Sequence, residues 1–400
     1  MRVAGVVAEY NPFHTGHQWH INKTREQADA VVCVMSGAFT QRGMPAVVDK
    51  WARAKAAVLC GADLVIELPF PFSSAPAEIF AYGAVDLLGK LGIVESLSFG
   101  SESGDITPLL KTAEILEQKS REISESIKGN AGKGKSYAAA VAQAVGEYTD
   151  DNALDSPNNL LGIKYIMALH RLGLDIKPFT VKREGDYNST SLEGRFVSAA
   201  AIRKSFAEAG AESVKAYMPD KAFQVFKTEA ENGRVYNLAE SDPLLAGIIR
   251  REGNAIEKYA YMAEGVENRF VSAAERFTSA ADIINEVKTK RYTHTRLSRI
   301  AAAVMVGMDK QQLEMNMQGG VAYAKVLAVG ENGTRLLRKI KEKGRVPVIS
   351  RGAEYVNLGA YAVQQFELEM KAQNIAALCC GGMPQPANSD LLTKPFIFIV

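Results

Sequence analysis

"VVAEYNPFHTGHQWH", residues 6 to 20, decides how the chain is read. Val3 to Ala8 is an apolar run of strand length, and Gly16 to Ala28 has helical spacing, so a strand feeds a helix through a short loop. Three of the five histidines, His14, His17 and His20, fall at that junction. Two imidazoles three residues apart at a helix start stand beside free backbone N–H groups and the positive end of the helix dipole, a setting that suits phosphate oxygens. Gly16 between them would let an anionic ligand approach the backbone closely. A zinc site would need more ligands than His20 can add, and no cysteine or carboxylate cluster accompanies it, so no metal cage is expected. Histidines that only pack or cap the helix are the plain alternative.

Outward from this stretch the two periodicities keep alternating. "AVVCVM" (30–35), "DLVIELP" (63–69) and "SLSFG" (96–100) read as strands, and the helical "VVDKWARAKAAVLCG" (47–61) and a helix from about 76 to 90 lie between them. Nearly continuous apolar strands separated by helices predict a parallel sheet covered on both faces with right-handed crossovers, an α/β, Rossmann-like doubly wound fold. Ligands of such sheets bind beyond the carboxyl ends of the strands. Residues 155–173 predict a helix that starts near Ser156 or Pro157 and stops at Gly173, followed by the strand "DIKPFTVKR" and a helix with Ser198 as its N-cap. Residues 105–150 read as polar, mainly helical elaboration; their "GNAGKGKS" has neither the preceding strand nor the glycine spacing of a P-loop.

Three domains are expected from 400 residues at 47% hydrophobic content. Residues 1–210 form the nucleotide-binding domain with its helical elaboration, and 211–318 a helical domain. Residues 319–400, where "AYAKVLAVG", "RVPVIS" and "PFIFIV" alternate with helical segments, form a small α+β C-terminal unit. The net charge of +2 excludes a globally polyanion-binding chain, so any such site must be local. No apolar stretch approaches the roughly 20 residues of a membrane helix, and no basic leader is seen, which predicts a cytoplasmic protein without membrane contact. Cys33, Cys60, Cys379 and Cys380 match neither a disulfide framework nor zinc spacing and read as core or incidental thiols.

HxGH after the first strand of a doubly wound sheet resembles the signature of the HIGH-motif nucleotidyltransferases. The chain is more closely similar to the bacterial tRNA(Met) cytidine acetate ligase family. It carries Glu9-Tyr10-Asn11-Pro12-Phe13-His14-Thr15-Gly16-His17, then Met35-Ser36-Gly37-Ala38-Phe39-Thr40-Gln41-Arg42-Gly43-Met44-Pro45-Ala46 and Lys50-Trp51-Ala52-Arg53. Gly61-Ala62-Asp63-Leu64-Val65-Ile66-Glu67-Leu68-Pro69, Phe99-Gly100-Ser101-Glu102-Ser103-Gly104 and Pro157-Asn158-Asn159-Leu160-Leu161-Gly162 follow in the family's order. The resemblance implies a two-step reaction. ATP and acetate give acetyl-adenylate and pyrophosphate, and the exocyclic amine of the wobble cytidine of elongator tRNA(Met) then attacks the acetyl carbonyl, giving N4-acetylcytidine.

By the same resemblance His14 and His17 are the catalytic pair at the α-phosphate, with Mg²⁺ on the ATP phosphates. ATP contacts are implied for Val7, Ala8, Glu9, Tyr10, Asn11, Pro12, Phe13, His14, Thr15, Gly16, His17, Gln18, Trp19 and His20. Of these His20 lies outside the motif and otherwise reads as an ordinary helix residue. Gly100, Asn158 or Asn159, Arg183, Ser198 and Arg203 complete the ATP set. Lys50 and Arg53, one turn apart, are either functional or a solvated helix face. The chain departs from the family at Asp186-Tyr187-Asn188, where relatives carry Tyr-His, and at Ala200, where relatives carry a threonine.

RNA contact is expected from Gln41 and Arg42 in "SGAFTQRGMPA" and from "KTKRYTHTRLSR" (288–299). In the latter, Lys288, Lys290, Arg291, Arg296 and Arg299 are interleaved with Tyr292 and His294, a pattern suited to a phosphate backbone and stacked bases. A second basic run, Arg335, Arg338, Lys339, Lys341 and Lys343, sits partly at a helix end. No obligate protein partner is evident. Two rivals remain open on the residues: a small-molecule adenylyltransferase of the same fold, and a tRNA-binding protein with a vestigial nucleotide site.

Overall fold

The computed structural model describes residues 1–123, 125, 141, 145–146, 148, 154, 156–183, 196–236, 243–382 and 386–398. "GNAGKGKS" and the departure at Asp186-Tyr187-Asn188 lie outside them. The strands are β1 (Val3–Ala8), β2 (Ala30–Ser36), β3 (Leu64–Leu68), β4 (Ser96–Ser101), β5 (Lys177–Lys182), β6 (Ala324–Val329), β7 (Val348–Ile349) and β8 (Phe396–Ile397). They form one sheet in the order β5-β4-β1-β2-β3-β6-β7, with β8 also pairing β6. β1 lies parallel between β2 (Ala8 beside Met35) and β4 (Val6 beside Ser98). The chain therefore runs to one side through β2 and β3 and returns to the other through β4 and β5. The carboxyl ends of β1 and β4 flank the switch point where doubly wound sheets place their ligands.

Among the described residues the longer helices of the nucleotide half are α1 (Thr15–Arg25), α2 (Lys50–Leu59), α3 (Ala77–Lys90), α4 (Thr107–Gln118), α5 (Pro157–Leu172), α6 (Ala199–Ala209) and α7 (Asp220–Glu231). Their punctuation is as read. Ser156 and Ser198 cap α5 and α6 through their hydroxyls, and Gly173 takes the left-handed conformation, φ 61°, at the end of α5. One face of the sheet packs on α3 and α5, through Leu88, Ile163 and Ile166, and the other on α1, α2, α6 and α7, through Ile21, Ala57, Ile202 and Phe223.

Helices α8 (Leu244–Glu252), α9 (Val266–Arg276), α10 (Ala280–Val287), α11 (His294–Val306) and α12 (Lys310–Gly319) follow. The first four share a core with the later α14 (Ala360–Leu378), and Phe39 and Phe70 of the nucleotide half are part of it. Helix α13 (Gly333–Lys343) buries Leu336 and Ile340 against the sheet, which leaves Arg335, Arg338, Lys341 and Lys343 at the surface.

The separate C-terminal unit expected from residue 319 differs from what the sheet contains. β6 pairs antiparallel with β3, with Glu67 beside Lys325, so the last segment extends the nucleotide-domain sheet. All six residues of β6 are buried. A fully buried strand advertises its burial in the sequence, but not which sheet edge it joins.

Charged groups reinforce the junction. Lys50, wholly buried, contacts Glu67 of β3 at 2.6 Å, Glu369 of α14 at 3.0 Å and Asp390 at 2.7 Å. Lys325 contacts Glu67 at 3.0 Å and also Asp390. Arg53, 1% exposed, donates to the carbonyls of Val48 (3.1 Å), Glu9 (2.7 Å), Ser36 (3.0 Å) and Gly37. The solvated-face reading of Lys50 and Arg53 is thereby corrected. Helical spacing does not say which face is inward when a charge has buried partners far away in sequence.

Candidate active site

A cavity of about 940 Å³ opens at the carboxyl ends of β1 and β4. His14 is the N-cap of α1. Its Nδ1 accepts the N–H of Gly16 at 3.1 Å, and the Nδ1 of His17 accepts the N–H of His14 at 3.2 Å, a reciprocal capping box built from imidazoles. The rings stack with centroids 3.7 Å apart. Because both Nδ1 atoms accept, each neutral ring carries its hydrogen on Nε2, and two N–H donors remain for a ligand. Burial, with Arg183 and Arg203 nearby, lowers the His14 pKa to about 3. Burial, then His14 and Arg183, holds His17 well below its usual range, and burial with Arg183 takes His20 down to about 4. The three imidazoles are neutral at pH 7.

Gly16 has a further necessity beside the one expected. A Cβ there would lie 2.9 Å from Cε1 of His14, so the missing side chain makes room for the His14 ring. Gly100 does the same for Arg183, whose Cγ would lie 2.9 Å from an added Cβ. Arg183, at the end of β5, donates to Oδ1 of Asn158 at 2.9 Å, and Arg203 of α6 donates to the carbonyl of Asn11 at 2.6 Å. Both guanidiniums are thus anchored at the rim of the histidine pair. Among the described residues the cavity wall carries four cationic side chains, Arg42, Lys182, Arg183 and Arg203, against the single carboxylate of Glu9. Such a wall suits a polyanion.

Of the ATP set, Val7, Ala8, Glu9, Tyr10, Asn11, His14, Gly16, His17, Trp19, His20, Gly100, Asn158, Arg183, Ser198 and Arg203 line the cavity. Pro12, Phe13, Thr15, Gln18 and Asn159 do not. Phe13 is buried against Tyr10 and His17, at centroid distances of 4.8 and 5.6 Å. Asn159 is turned inward, and its Oδ1 accepts the N–H of Glu102 at 3.3 Å, so Asn158 is the asparagine that faces the ligand space. His20 is tied to Oγ of Ser98 at 2.9 Å, which pins α1 to β4. Ala200, the residue at which the chain departs from the expected family pattern, lines the wall.

The RNA set is divided. Gln41 and Arg42 line the cavity, and the backbone N–H of Gln41 is held by Oε1 of Glu9 at 2.8 Å. Lys288, Lys290 and Arg291 are exposed. Arg291 and Arg296 both meet the carboxylate of Glu264, at 3.2 and 3.3 Å, and Arg299 donates to the carbonyl of Gln41 at 3.2 Å, which clamps α11 to the cavity loop. Tyr292 is 5% exposed and donates its hydroxyl to the carbonyl of Glu264, so it supports this turn and offers no stacking face.

Sequence reasoning missed Lys182, Phe196, Tyr236, Thr295 and Ser298 as wall residues. A signal existed only for Lys182, which adjoins Arg183 at the strand end.

Residues 1–389 match the HIGH Nucleotidyl Transferase family. The tRNA(Met) cytidine acetate ligase of Caldanaerobacter subterraneus subsp. tengcongensis is 39% identical over 364 residues, covering 89% of this chain and 90% of that protein. The enzyme of the same name from Clostridium perfringens is 34% identical with both chains covered completely. The crystal structure of Thermotoga maritima TmcAL bound with alpha-thio ATP superposes with a TM-score of 0.92 at 32% identity, and its apo form with 0.94, each over the full length of both chains.

Proposed function

The chain belongs to the HIGH nucleotidyltransferases and, among them, to the tRNA(Met) cytidine acetate ligases, and from that membership we propose how its own cavity performs the ligation. It is an ATP-dependent ligase that activates acetate as acetyl-adenylate and transfers the acetyl group to the exocyclic amine of the wobble cytidine of elongator tRNA(Met). The observation that carries the reading is the pair of Nε2–H donors of His14 and His17 in the cationic cavity at the switch point.

Adenylation asks a protein mainly to position the reactants and to stabilise the charge that develops at the α-phosphate. Neutral donors serve this without exchanging a proton. Arg183 and Arg203 supply the charge, and their bonds to Asn158 and Asn11 hold them in place before ATP arrives. Val7 to Asn11, Trp19, His20, Gly100 and Ser198 complete the ATP wall. Bound with the phosphates, Mg²⁺ would neutralise part of their charge, and Glu9 is the wall carboxylate that would hold it. Such an ion needs only one or two protein carboxylates beside phosphate and water.

The volume lies at the upper end of the roughly 300–1,000 Å³ of small-molecule sites, which leaves space for an acceptor beside the nucleotide. Gln41 and Arg42 border that space, and Lys288, Lys290, Arg291, Arg296 and Arg299 lie on or before α11, whose first turn reaches it. No helix among the described residues is long and apolar enough to cross a membrane, and a cytoplasmic site of action fits the ATP and tRNA substrates.

Pyrophosphate exchange tests the first step. Labelled pyrophosphate should enter ATP only when acetate and Mg²⁺ are both present, and His14→Ala or His17→Ala should lower the rate by about 10² or more. Absence of exchange in the wild-type protein ends the reading. Bulk tRNA incubated with ATP and labelled acetate should gain one acetyl group per acceptor.

A further inference from the structure

The cavity holds a fourth imidazole, His294, the first residue of α11. Its setting is the opposite of that of His14 and His17. The hydroxyl of Ser298 lies 3.0 Å from the carbonyl oxygen of His294 and 3.3 Å from its Nδ1. A hydroxyl has one hydrogen, and here it goes to the carbonyl at the shorter distance. Ser298 then accepts from Nδ1–H, and the lone pair of His294 sits on Nε2. The phosphate-side pair presents hydrogens to the cavity, whereas His294 presents a proton acceptor.

The helix that carries it is fixed against the cavity. Arg299 donates to the carbonyl of Gln41, and an added Cβ on Gly43 would lie 2.4 Å from the backbone nitrogen of Arg299, so the cavity loop and α11 are in direct contact. The Glu9 carboxylate holds the same loop from the β1 side. His294 is exposed, as a group meeting a large second substrate must be, and Thr295 and Ser298 border the cavity beside it.

We propose that His294 is the general base of the acyl-transfer step, an assignment that rests on the ligase reading above. The amine of cytosine is conjugated with its ring and is a weak nucleophile, so its attack gains from a base that removes a proton as the bond forms. The nitrogen bonds to the acetyl carbon, and the bond from that carbon to the adenylate oxygen breaks. AMP leaves with the electron pair, and the amine proton passes to Nε2 of His294 and then to solvent. The other wall groups are unsuited. His14, His17 and His20 are too weakly basic, burial raises Tyr10 and Tyr236 far above neutrality, and Glu9 accepts the Gln41 N–H on Oε1 and is the carboxylate assigned above to Mg²⁺. Burial and the nearby Lys288 lower His294 below the ordinary histidine value, which keeps it unprotonated at physiological pH.

The half-reactions separate the proposal from its premise. His294→Ala and His294→Asn should keep acetate-dependent pyrophosphate exchange within about threefold of wild type. Single-turnover transfer from preformed acetyl-adenylate to tRNA should fall by about 10² or more. Added imidazole should restore part of the transfer in the alanine variant, and filter binding of tRNA should be unchanged. Transfer within fivefold of wild type in both variants, equal loss of exchange, loss of tRNA binding, or no imidazole rescue each overturns the assignment. Failure of exchange in the wild-type protein instead removes the ligase reading itself.

Discussion

At the scale of single residues, the cavity uses histidine in its neutral form, and neutrality has a consequence for stability. An imidazole whose pKa is depressed on folding takes up its proton more readily in the unfolded chain, so the stability it preserves is complete above about pH 6.5 and drains as pH falls. His14 and His20, at about 3 and about 4, and His17, also lowered, act in the same direction. Each contributes up to about 1.4 kcal/mol per pH unit between its two pKa values. Denaturant titrations from pH 7 to 5 should show a smaller loss in His20→Asn than in wild type, and NMR should find His14 still neutral at pH 5. An equal slope in the two proteins, or titration of His14 near pH 6.5, contradicts the account. Gly16→Ala tests the other half of the motif. Its Cβ would press on the His14 ring, and kcat/KM for ATP should fall at least about tenfold while the thermal midpoint moves little.

At the scale of elements, the sequence made β1 to β5 and α1 to α3, α5 and α6 legible because local signals agreed there: apolar runs, Ser156 and Ser198 as caps, Gly173 as a stop. The HxGH junction was legible for the same reason, since its function is local. What stayed hidden depends on contacts between distant positions. Lys50 and Arg53 are inward because Glu67, Glu369, Asp390 and four carbonyls meet them, and no spacing within α2 announces this. The same applies to His294, whose cavity position depends on the contact between α11 and the loop at Gly43. The buried cluster makes its own prediction. Two lysines face three carboxyl groups; burial with the neighbouring Glu67 raises Glu369, while for Glu67 burial is outweighed by Lys325 and Lys50, which hold it below the usual carboxylate range. A proton held on Glu369 would leave two lysines facing two carboxylates. Glu369→Gln replaces a neutral group by a neutral one and should cost about 1 kcal/mol, whereas Glu67→Gln strands a buried cation and should cost about 3–5 kcal/mol. Equal costs in urea unfolding at pH 7 would contradict this proton placement.

At the scale of the whole molecule, the sheet runs through both ends of the chain. β3 lies between β2 and β6, so removing the last segment uncovers one edge of β3 along its length. Removal also strips Lys50 and Glu67 of Lys325, Glu369 and Asp390, and it takes α14 out of the core of the helical region. A buried charge without its partners costs several kcal/mol, comparable to the whole stability of an ordinary domain. Chains ending at residue 210 or 318, the boundaries that composition suggests, should therefore fail to give a soluble ATP-binding fragment. The intact chain should unfold with the nucleotide half and the C-terminal segment in one transition. Limited proteolysis and calorimetry decide the matter: a stable fragment of residues 1–210 that binds ATP with the affinity of the intact chain would show that the nucleotide half does not depend on β6. Co-expression with a separate chain of residues 319–400 adds the complementary outcome. If β6 and α14 supply the missing edge and charges, the pair should copurify and regain ATP binding, and the Lys325→Met form of the short chain should do neither.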